Sequence, residues 1–543
     1  MDTQDYVFGA NILENLTTGM YQDSKVIYRE YIQNACDQID KAVSEKLLAP
    51  GEGTINIWLD RGKRNIIIED NATGIPAEDF KRVLGNIADS DKKIGEDKGF
   101  RGIGRLCGLA YCEQLEFMST AAGEDVVSIM TCDAAKMRIL IDENARGIKH
   151  TANEVLHAIN SFTTKNVEEC GFSVDSHLFR VTMLNINKEN TDLLDFQQVK
   201  DYLSFVAPVP YQSNFYYRSE IYNHAKALGF KIDEYNIFLN GEAIFKKYTT
   251  VLKDSNGNKL DDIFGVYCHD FFNADGKLIA WMWVGLSKFT KAIPKNNKMR
   301  GLRLRKENIQ IGGEDALQKL FKEDRGNSYF IGEVFAVDPD LIPNSQRDYF
   351  NENPARFEFE IKLRMFFAEE LHRIYHSGST LNANYKKIDM YEQKRSEFKA
   401  KAAAGNFIDD IHREREYEVV LKAKEEAETA MEKIERLKNK ASDSAILPQV
   451  IKRIEDDRRK PVPPPTQPDS PLPPKDAKHE NVCGNEKEKS NTIGRRVDKL
   501  TQYSRKERKL ISRIWSIIIT ATDSETAEML ISKIEEALMK QRD

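Results

Sequence analysis

Between residues 24 and 43 the apolar side chains Ile27, Tyr31, Ile32, Ala35 and Ile39 recur at helical spacing, and the pattern predicts an amphipathic helix. Its polar positions are ordered as well. Within "YREYIQNACDQIDK" (28–41), at 100° per residue, Glu30, Asn34, Asp37 and Lys41 fall within about a 60° arc of one face. That line reads either as a solvated face with ordinary i,i+4 pairs or as a row of functional groups. Downstream the period falls to two. The stretches "GTINIWLD" (53–60), "NIIIED" (65–70) and "FRVTMLNI" (179–186) predict strands, with a Gly- and Lys-rich loop region at 85–104. Helix and strand patterns mixed in this way predict an α/β sandwich over 1–190.

From 191 to 380 the helix-like "DFQQVKDYLSFVA" (195–207) precedes strand patterns such as "YNIFLNGEAIF", "LIAWMWVGL", "GLRLRKENIQIG" and "YFIGEVFAVD". A helix near 354–376 closes this second α/β domain. Beyond 380 the composition shifts to Lys, Glu and Ala. Positions 420, 423, 427, 430, 434, 437 and 441 step by three and four, mostly as Ala, which predicts for 381–459 a thin coiled-coil-like seam or a single long surface helix. "KPVPPPTQPDSPLPP" (460–474) predicts an extended polyproline spacer within a disordered linker, 460–495. The chain then predicts a helical hairpin over 496–543, with capping boxes at Ser504/Glu507 and Thr522/Glu525. Ile511, Ile514, Trp515 and Ile518 would face Leu530, Ile531, Ile534 and Leu538, and so small a unit is expected to self-associate or dock.

Composition narrows the function classes. Across 543 residues, 80 basic and 86 acidic side chains leave a net charge of −6, so no global field favours nucleic acid or an anionic membrane. Seven cysteines, none in a C-x-x-C pair, suit a reduced cytoplasmic chain. The amino terminus lacks the pattern of a signal peptide, and no run of about 18 apolar residues predicts a membrane span.

Two further motifs carry candidate chemistry. In "DNATGIP" (70–76) a carboxylate ends a strand ahead of small residues; Asp70 can accept a hydrogen bond from an exocyclic amine while Ala72 and Gly74 admit a flat ring, or the stretch is a common turn. "GFRGIGRLCGLAYC" (99–112) places Gly99, Gly102 and Gly104 ahead of a helix-like run, where backbone N–H groups can meet phosphate. The strand before it and the acidic residue after it that a dinucleotide fingerprint needs are missing.

Taken in order and spacing, these segments resemble the GHKL ATPases, and among them the heat-shock protein 90 family most. The family's Arg-Glu-x-x-x-Asn-Ala-x-Asp is matched by "REYIQNACD", its Asp-x-Gly-x-Gly by "DNATG" with a departure at Ala72, and its phosphate loop by "GFRGIG". "GNIADSDKK" resembles its lid start, and "DPDLIPNSQRDYF" (338–350) its middle-domain loop. The resemblance implies a two-layer α/β sandwich of the Bergerat (GHKL) type, followed by an α+β transducer-like domain. It implies ATP and Mg²⁺ as ligands, Glu30 as the general base and Asn34 as the metal ligand. Asp37 and Lys41 would complete the polar face, Asp70 would bind the adenine amine, and Gly74 would line the ring. Gly99, Gly102 and Gly104 would wrap the phosphates, Lys98 (or Lys92 or Lys93) would assist from the lid, and Arg347 would reach the γ-phosphate from the second domain. The alternative for Arg347 is a surface side chain paired with Asp348 or Glu352.

A Gly-Thr ahead of a late strand is not recognisable near "SHLFRVTML", and Thr182 inside that strand is a poor substitute. The cation-rich "MRGLRLRKENIQIG" (299–312) could face ATP, nucleic acid or solvent, with solvent ranked first. The reading is a slowly hydrolysing, homodimeric ATPase whose lid closure acts on a protein client or partner through the coiled coil and hairpin, without a membrane. Its rivals are a MORC- or MutL-like clamp on DNA and a non-enzymatic nucleotide-bound scaffold.

Overall fold

The computed structural model describes residues 7–17, 19, 23–87 and 102–459, and, near the end of the chain, 511, 514, 515, 518 and 529–534. The segment with Lys92, Lys93, Lys98 and Gly99, the proline-rich spacer and both capping boxes of the hairpin lie outside the described residues. The chain divides into two compact units, Met1–Pro461 and Val462–Asp543. The second unit's described residues include the buried Trp515 and Ile531.

In the first unit, α1 (Asn11–Leu16) and α2 (Val26–Ser44) precede the antiparallel pair β1 (Thr54–Asp60) and β2 (Asn65–Asp70). Then come α3 (Ala77–Gly85), β3 (Cys112–Thr120), β4 (Val126–Asp133), α4 (Ala134–Ala145), α5 (Ala152–Ile159), β5 (Asn160–Asn166) and β6 (Leu178–Ile186). Beyond residue 190 lie α6 (Phe196–Val206), α7 (Arg218–Ala227), β7 (Asn236–Leu239) and β8 (Glu242–Ala243). The sheet order is β5-β4-β3-β6-β2-β1-β7-β8, antiparallel except for the β1/β7 pair. β7 and β8 therefore complete the first sheet from sequence well past residue 190. Alternation places Ile55 and Ile57 of β1, Ile66 and Ile68 of β2, and Leu115 and Phe117 of β3 on one face, where they share a core with apolar residues of α1 to α6. This is a two-layer α/β sandwich.

A second sheet comes after the short pair β9 (Val251–Lys253) and β10 (Lys259–Asp262). It comprises β11 (Gly265–Phe272), β12 (Leu278–Leu286), β13 (Gly301–Lys306), β14 (Ile309–Ile311) and β15 (Ile331–Ala336), in the order β11-β12-β15-β13-β14. β12 is buried on both faces: Ala280, Met282 and Val284 meet one core, Trp281 and Trp283 the other. That explains its nearly continuous apolar run.

The segment ranked as solvent-facing needs correction. "GLRLRK" is β13, paired on both sides, and Arg303 and Arg305 are buried because Glu333 and Gln310 receive them. Helix α8 (Pro354–Phe366) continues through a π turn (Phe367–Leu371) into α9 (His372–Ala404), which runs unbroken past residue 380. Loop 405–409 turns the chain back into α10 (Asp410–Asn439), and α11 (Leu447–Arg459) closes the unit. The seam residues Ala423, Ala427, Ala430 and Ile434 are buried, so the alanines let α9 and α10 of one chain approach closely. Among the described residues no helix is long and apolar enough to cross a membrane.

Candidate functional site

Helix α2 buries most of its length, including Glu30, which is 7% exposed. A buried carboxylate needs partners. Arg29 supplies one, its NH2 nitrogen 3.1 Å from Glu30 Oε1, and Arg347 supplies another, its Nε 3.6 Å from the same oxygen. The other oxygen faces the glycine segment: a Cβ on Gly104 would lie 2.7 Å from Glu30 Oε2. The missing side chain at 104 is what lets the carboxylate stand against that backbone.

Arg347 arrives from loop 338–350, far away in sequence. It is 8% exposed, with φ of 54°, so it is no surface arginine. Its carbonyl accepts from Gly312 N at 2.8 Å, which ties the loop to the end of β14, and Arg29 NH2 donates to the Gln346 carbonyl at 3.1 Å. Beside these two arginines opens a cleft of about 580 Å³, with Lys25, Tyr202, Phe205 and Arg303 in its wall.

Farther along α2, Asn34 is half-buried and Asp37 is buried. Lys41 lies on the exposed end of the face, 3.8 Å from Glu45, apart from the Glu30 cluster's arginines. Asp70 ends β2 between Ile55 of β1 and Phe179 of β6. It is 4% exposed and accepts one bond from Ala72 N at 3.1 Å. Burial outweighs that bond and pushes the carboxyl up to about 7. Ala72 has no positive φ, so alanine sits there without strain. Gly74 does need glycine: φ is 65°, and a Cβ would fall 2.0 Å from the Thr120 carbonyl oxygen. Its bare side is thus filled by β3 backbone. Thr182 lies inside β6, opposite Ile67.

Gly102 adopts φ of 68° just before the 3-10 helix Gly104–Ala110. Four hydrogen bonds that the sequence did not signal hold these pieces together. Tyr31 of α2 donates to the Arg105 carbonyl at 2.9 Å and accepts from Gly108 N at 3.2 Å, docking the glycine segment on the helix. Thr73 donates to Gln38 at 2.9 Å, docking the Asp70 turn on the same helix. His177 Nδ1 donates to the Ala72 carbonyl at 2.6 Å. Each joins residues too distant in sequence for spacing to reveal, and only Arg29 could have been suspected, standing next to Glu30.

Helix α2 thus carries both the glycine segment and the strand-end carboxyl, and residues 23–168 match the family described as Histidine kinase-, DNA gyrase B-, and HSP90-like ATPase. This stretch is a GHKL ATPase domain. Similar curated proteins are chaperone proteins HtpG. That of Orientia tsutsugamushi (strain Boryong) is 29% identical over 145 residues, 23% of this chain and 23% of that protein. That of Rickettsia akari (strain Hartford) is 28% identical over 180 residues, 29% of each chain. That of Sulfurovum sp. (strain NBC37-1) is 29% identical over 140 residues, 22% of this chain and 23% of the relative. The chain thus spans under a third of the length of these relatives, and the likeness falls on its N-terminal part.

Proposed function

We propose that the chain is a Mg²⁺-dependent ATPase of heat-shock-90-like type, acting as a homodimer on a protein client or partner in the cytoplasm. The observation that carries this reading is the meeting of Glu30, Gly104 and Arg347. A helix carboxylate stands against a glycine segment and is contacted at 3.6 Å by an arginine from the following domain.

The residues fit the ligands. A buried carboxyl with one backbone donor, Asp70, has acceptor capacity left for the adenine amine, and Gly102, at positive φ, leaves backbone open to phosphate, while the bare side of Gly104 faces Glu30 and its part in wrapping phosphate rests on family likeness. Asn34 offers the hard oxygen that Mg²⁺ takes alongside phosphates and water. When bound, the ion neutralises charge between the phosphates. Glu30 then orients the attacking water and takes its proton, while Arg347 stabilises charge developing on the γ-phosphate. Gly74 shapes the turn under the ring. Asp37 supports the polar face, and Gly99 and Lys98 are assigned to the phosphates by family likeness alone. Because Arg347 belongs to another domain, lid and domain closure would be coupled to hydrolysis.

Glu30→Ala should keep affinity for a non-hydrolysable ATP analogue and lose at least about 100-fold in turnover, whereas Asp70→Asn should lose binding. Wild-type hydrolysis by Glu30→Ala would overturn the assignment. The DNA-clamp reading draws no support from the cation-rich segment, whose Arg303 and Arg305 are buried.

A further inference from the structure

The cleft of about 580 Å³ is walled by the start of α2, helix α6, strands β13 and β14 and loop 338–350. Its inner end and its mouth carry different side chains. Arg29, Arg303 and Arg347 are 8%, 4% and 8% exposed, whereas Lys298 stands exposed at the rim. Arg29 and Arg347 also contact Glu30, at 3.1 and 3.6 Å, so two wall side chains link the cleft to that carboxylate. On a helical wheel Lys25 and Arg29 lie at least about 80° round α2 from the line of Glu30, Asn34, Asp37 and Lys41. The cleft therefore adjoins a different face of the helix from the one assigned to nucleotide.

The acids of the wall are engaged. Asp23 lies 3.2 Å from Lys25, Asp201 lies 2.6 Å from Lys247, and Asp348 accepts from Asn344. Arg303 is matched less well. Its one acid is Glu314 at 3.9 Å, which Arg300 shares at 4.0 Å. Two of its nitrogens donate to Gln310 and to the Lys298 carbonyl, but its Nε has no hydrogen-bond partner among the described residues. Burial pulls the guanidinium below its ordinary value, more than Tyr248 and Glu314 restore. A buried arginine with an N–H to spare suits a tetrahedral oxyanion, whose acceptors match the guanidinium fork.

From this arrangement we infer that the cleft takes inorganic phosphate, the product of the hydrolysis proposed above, and is its way out. The inference rests on that reading and deepens it. Water oxygen bonds to the γ-phosphorus as the bond to the bridging oxygen breaks. ADP departs with that oxygen, Glu30 takes one water proton, and the other stays on the phosphate. Hydrogen phosphate is left beside the two arginines that contact Glu30, while ADP still covers the nucleotide face. Arg29, Arg347 and Arg303 at the inner end and Lys298 at the mouth then offer the dianion partners from reaction centre to solvent, so phosphate can leave before ADP.

Two measurements on full-length protein test this. Inorganic phosphate is titrated calorimetrically into nucleotide-free protein at constant ionic strength. Single-turnover hydrolysis then follows ADP by acid quench and free phosphate by a fluorescent sensor. The expected result is saturable phosphate binding, at least about tenfold weaker in Arg303→Met, which keeps an apolar stem over Phe205, and at least about threefold weaker in Lys298→Glu. The interval between ADP formation and phosphate appearance should lengthen at least about threefold in Lys298→Glu. Lys298 is exposed, so this variant should fold even where Arg303→Met does not. ADP formation in wild type combined with no phosphate binding, or with equal binding in wild type and Lys298→Glu, would overturn the inference alone. Binding from solution with an unchanged interval would mark an adventitious ion only and overturn the product role. No ADP from wild type would overturn the catalytic reading, and the product role with it.

Discussion

At the scale of single residues, two glycines beside the proposed site behave differently. In Gly104→Ala the new Cβ would meet the end of the Glu30 side chain at 2.7 Å, a group able to shift. The protein should fold, ATP analogue affinity should change little, and kcat should fall about 10- to 100-fold as the carboxylate is displaced. In Gly74→Ala the Cβ would meet the Thr120 carbonyl at 2.0 Å with φ at 65°. Backbone on both sides cannot yield, so thermal unfolding should show a loss of about 3 kcal/mol or more. Asp70 adds a pH signature. Its carboxyl, raised from 3.8 to about 7, binds its proton more tightly folded than unfolded. The stability it contributes is full below pH 3.8 and is lost as pH rises through 7. Amine recognition needs the ionised form, so ATP affinity should weaken by up to about tenfold per unit below pH 7. Calorimetric titration in two buffers of different ionisation enthalpy should count a released proton near neutral pH. The glycines, Glu30 and Asp70 were legible as types in a pattern, but which glycine faces a side chain and which a backbone was not. The deciding neighbours lie 74 and 46 residues away, at Glu30 and Thr120.

At the scale of elements, periodicity succeeded where one face decides burial and failed where a partner strand does. The α2, β1, β2 and β6 patterns matched the elements formed. The cluster of cations around "GLRLRK" reads as facing solvent first, yet Arg305 reaches Glu333 of β15 and Arg303 reaches Gln310 of β14. Burial of Arg305 is compensated by that acid, which stands 28 residues on. The alanine seam of α10 was ambiguous for a similar reason: its partner is α9, reached by a turn at 405–409 that spacing alone did not locate. Close approach at alanine makes the seam sensitive to added bulk. Ala430→Leu, at 1% exposure, should destabilise the helical arm by about 1–3 kcal/mol, whereas Met431→Ala, at 51%, should stay within about 0.5 kcal/mol. Urea unfolding monitored by circular dichroism would separate the two; equal effects would contradict the packing of α9 on α10.

At the scale of the whole first unit, the second sheet is joined to the segment that carries β7 and β8 by a buried ionic network rather than by apolar packing alone. Glu333, fully buried, receives Arg305 and the Tyr211 hydroxyl and lies 3.1 Å from Lys246 Nζ. Lys246 also donates to Asn308 at 2.7 Å, and Arg305 donates to the Phe205 carbonyl at 2.7 Å at the end of α6. Two cations and a phenol on one carboxylate outweigh its desolvation and hold it down at about 2. Its folded value is depressed, so its stabilising contribution is present above the ordinary 4.5 and is lost as pH falls through 2. Glu333→Gln keeps the shape but leaves the cations short of a countercharge. It should cost about 3–5 kcal/mol near neutral pH. The informative measurement is the slope. Trp283 donates to Tyr211 at 3.0 Å, so its fluorescence reports on this network during urea unfolding at successive pH values. Wild type should lose stability steeply from about pH 4.5 toward 2, because over that interval the unfolded chain's Glu333 binds a proton that the folded carboxylate still refuses, whereas the glutamine variant, having no such proton to bind, should start lower and fall less over that interval. Parallel slopes would mean that Glu333 is not the group whose protonation loosens the joint through which Arg347 is presented to Glu30.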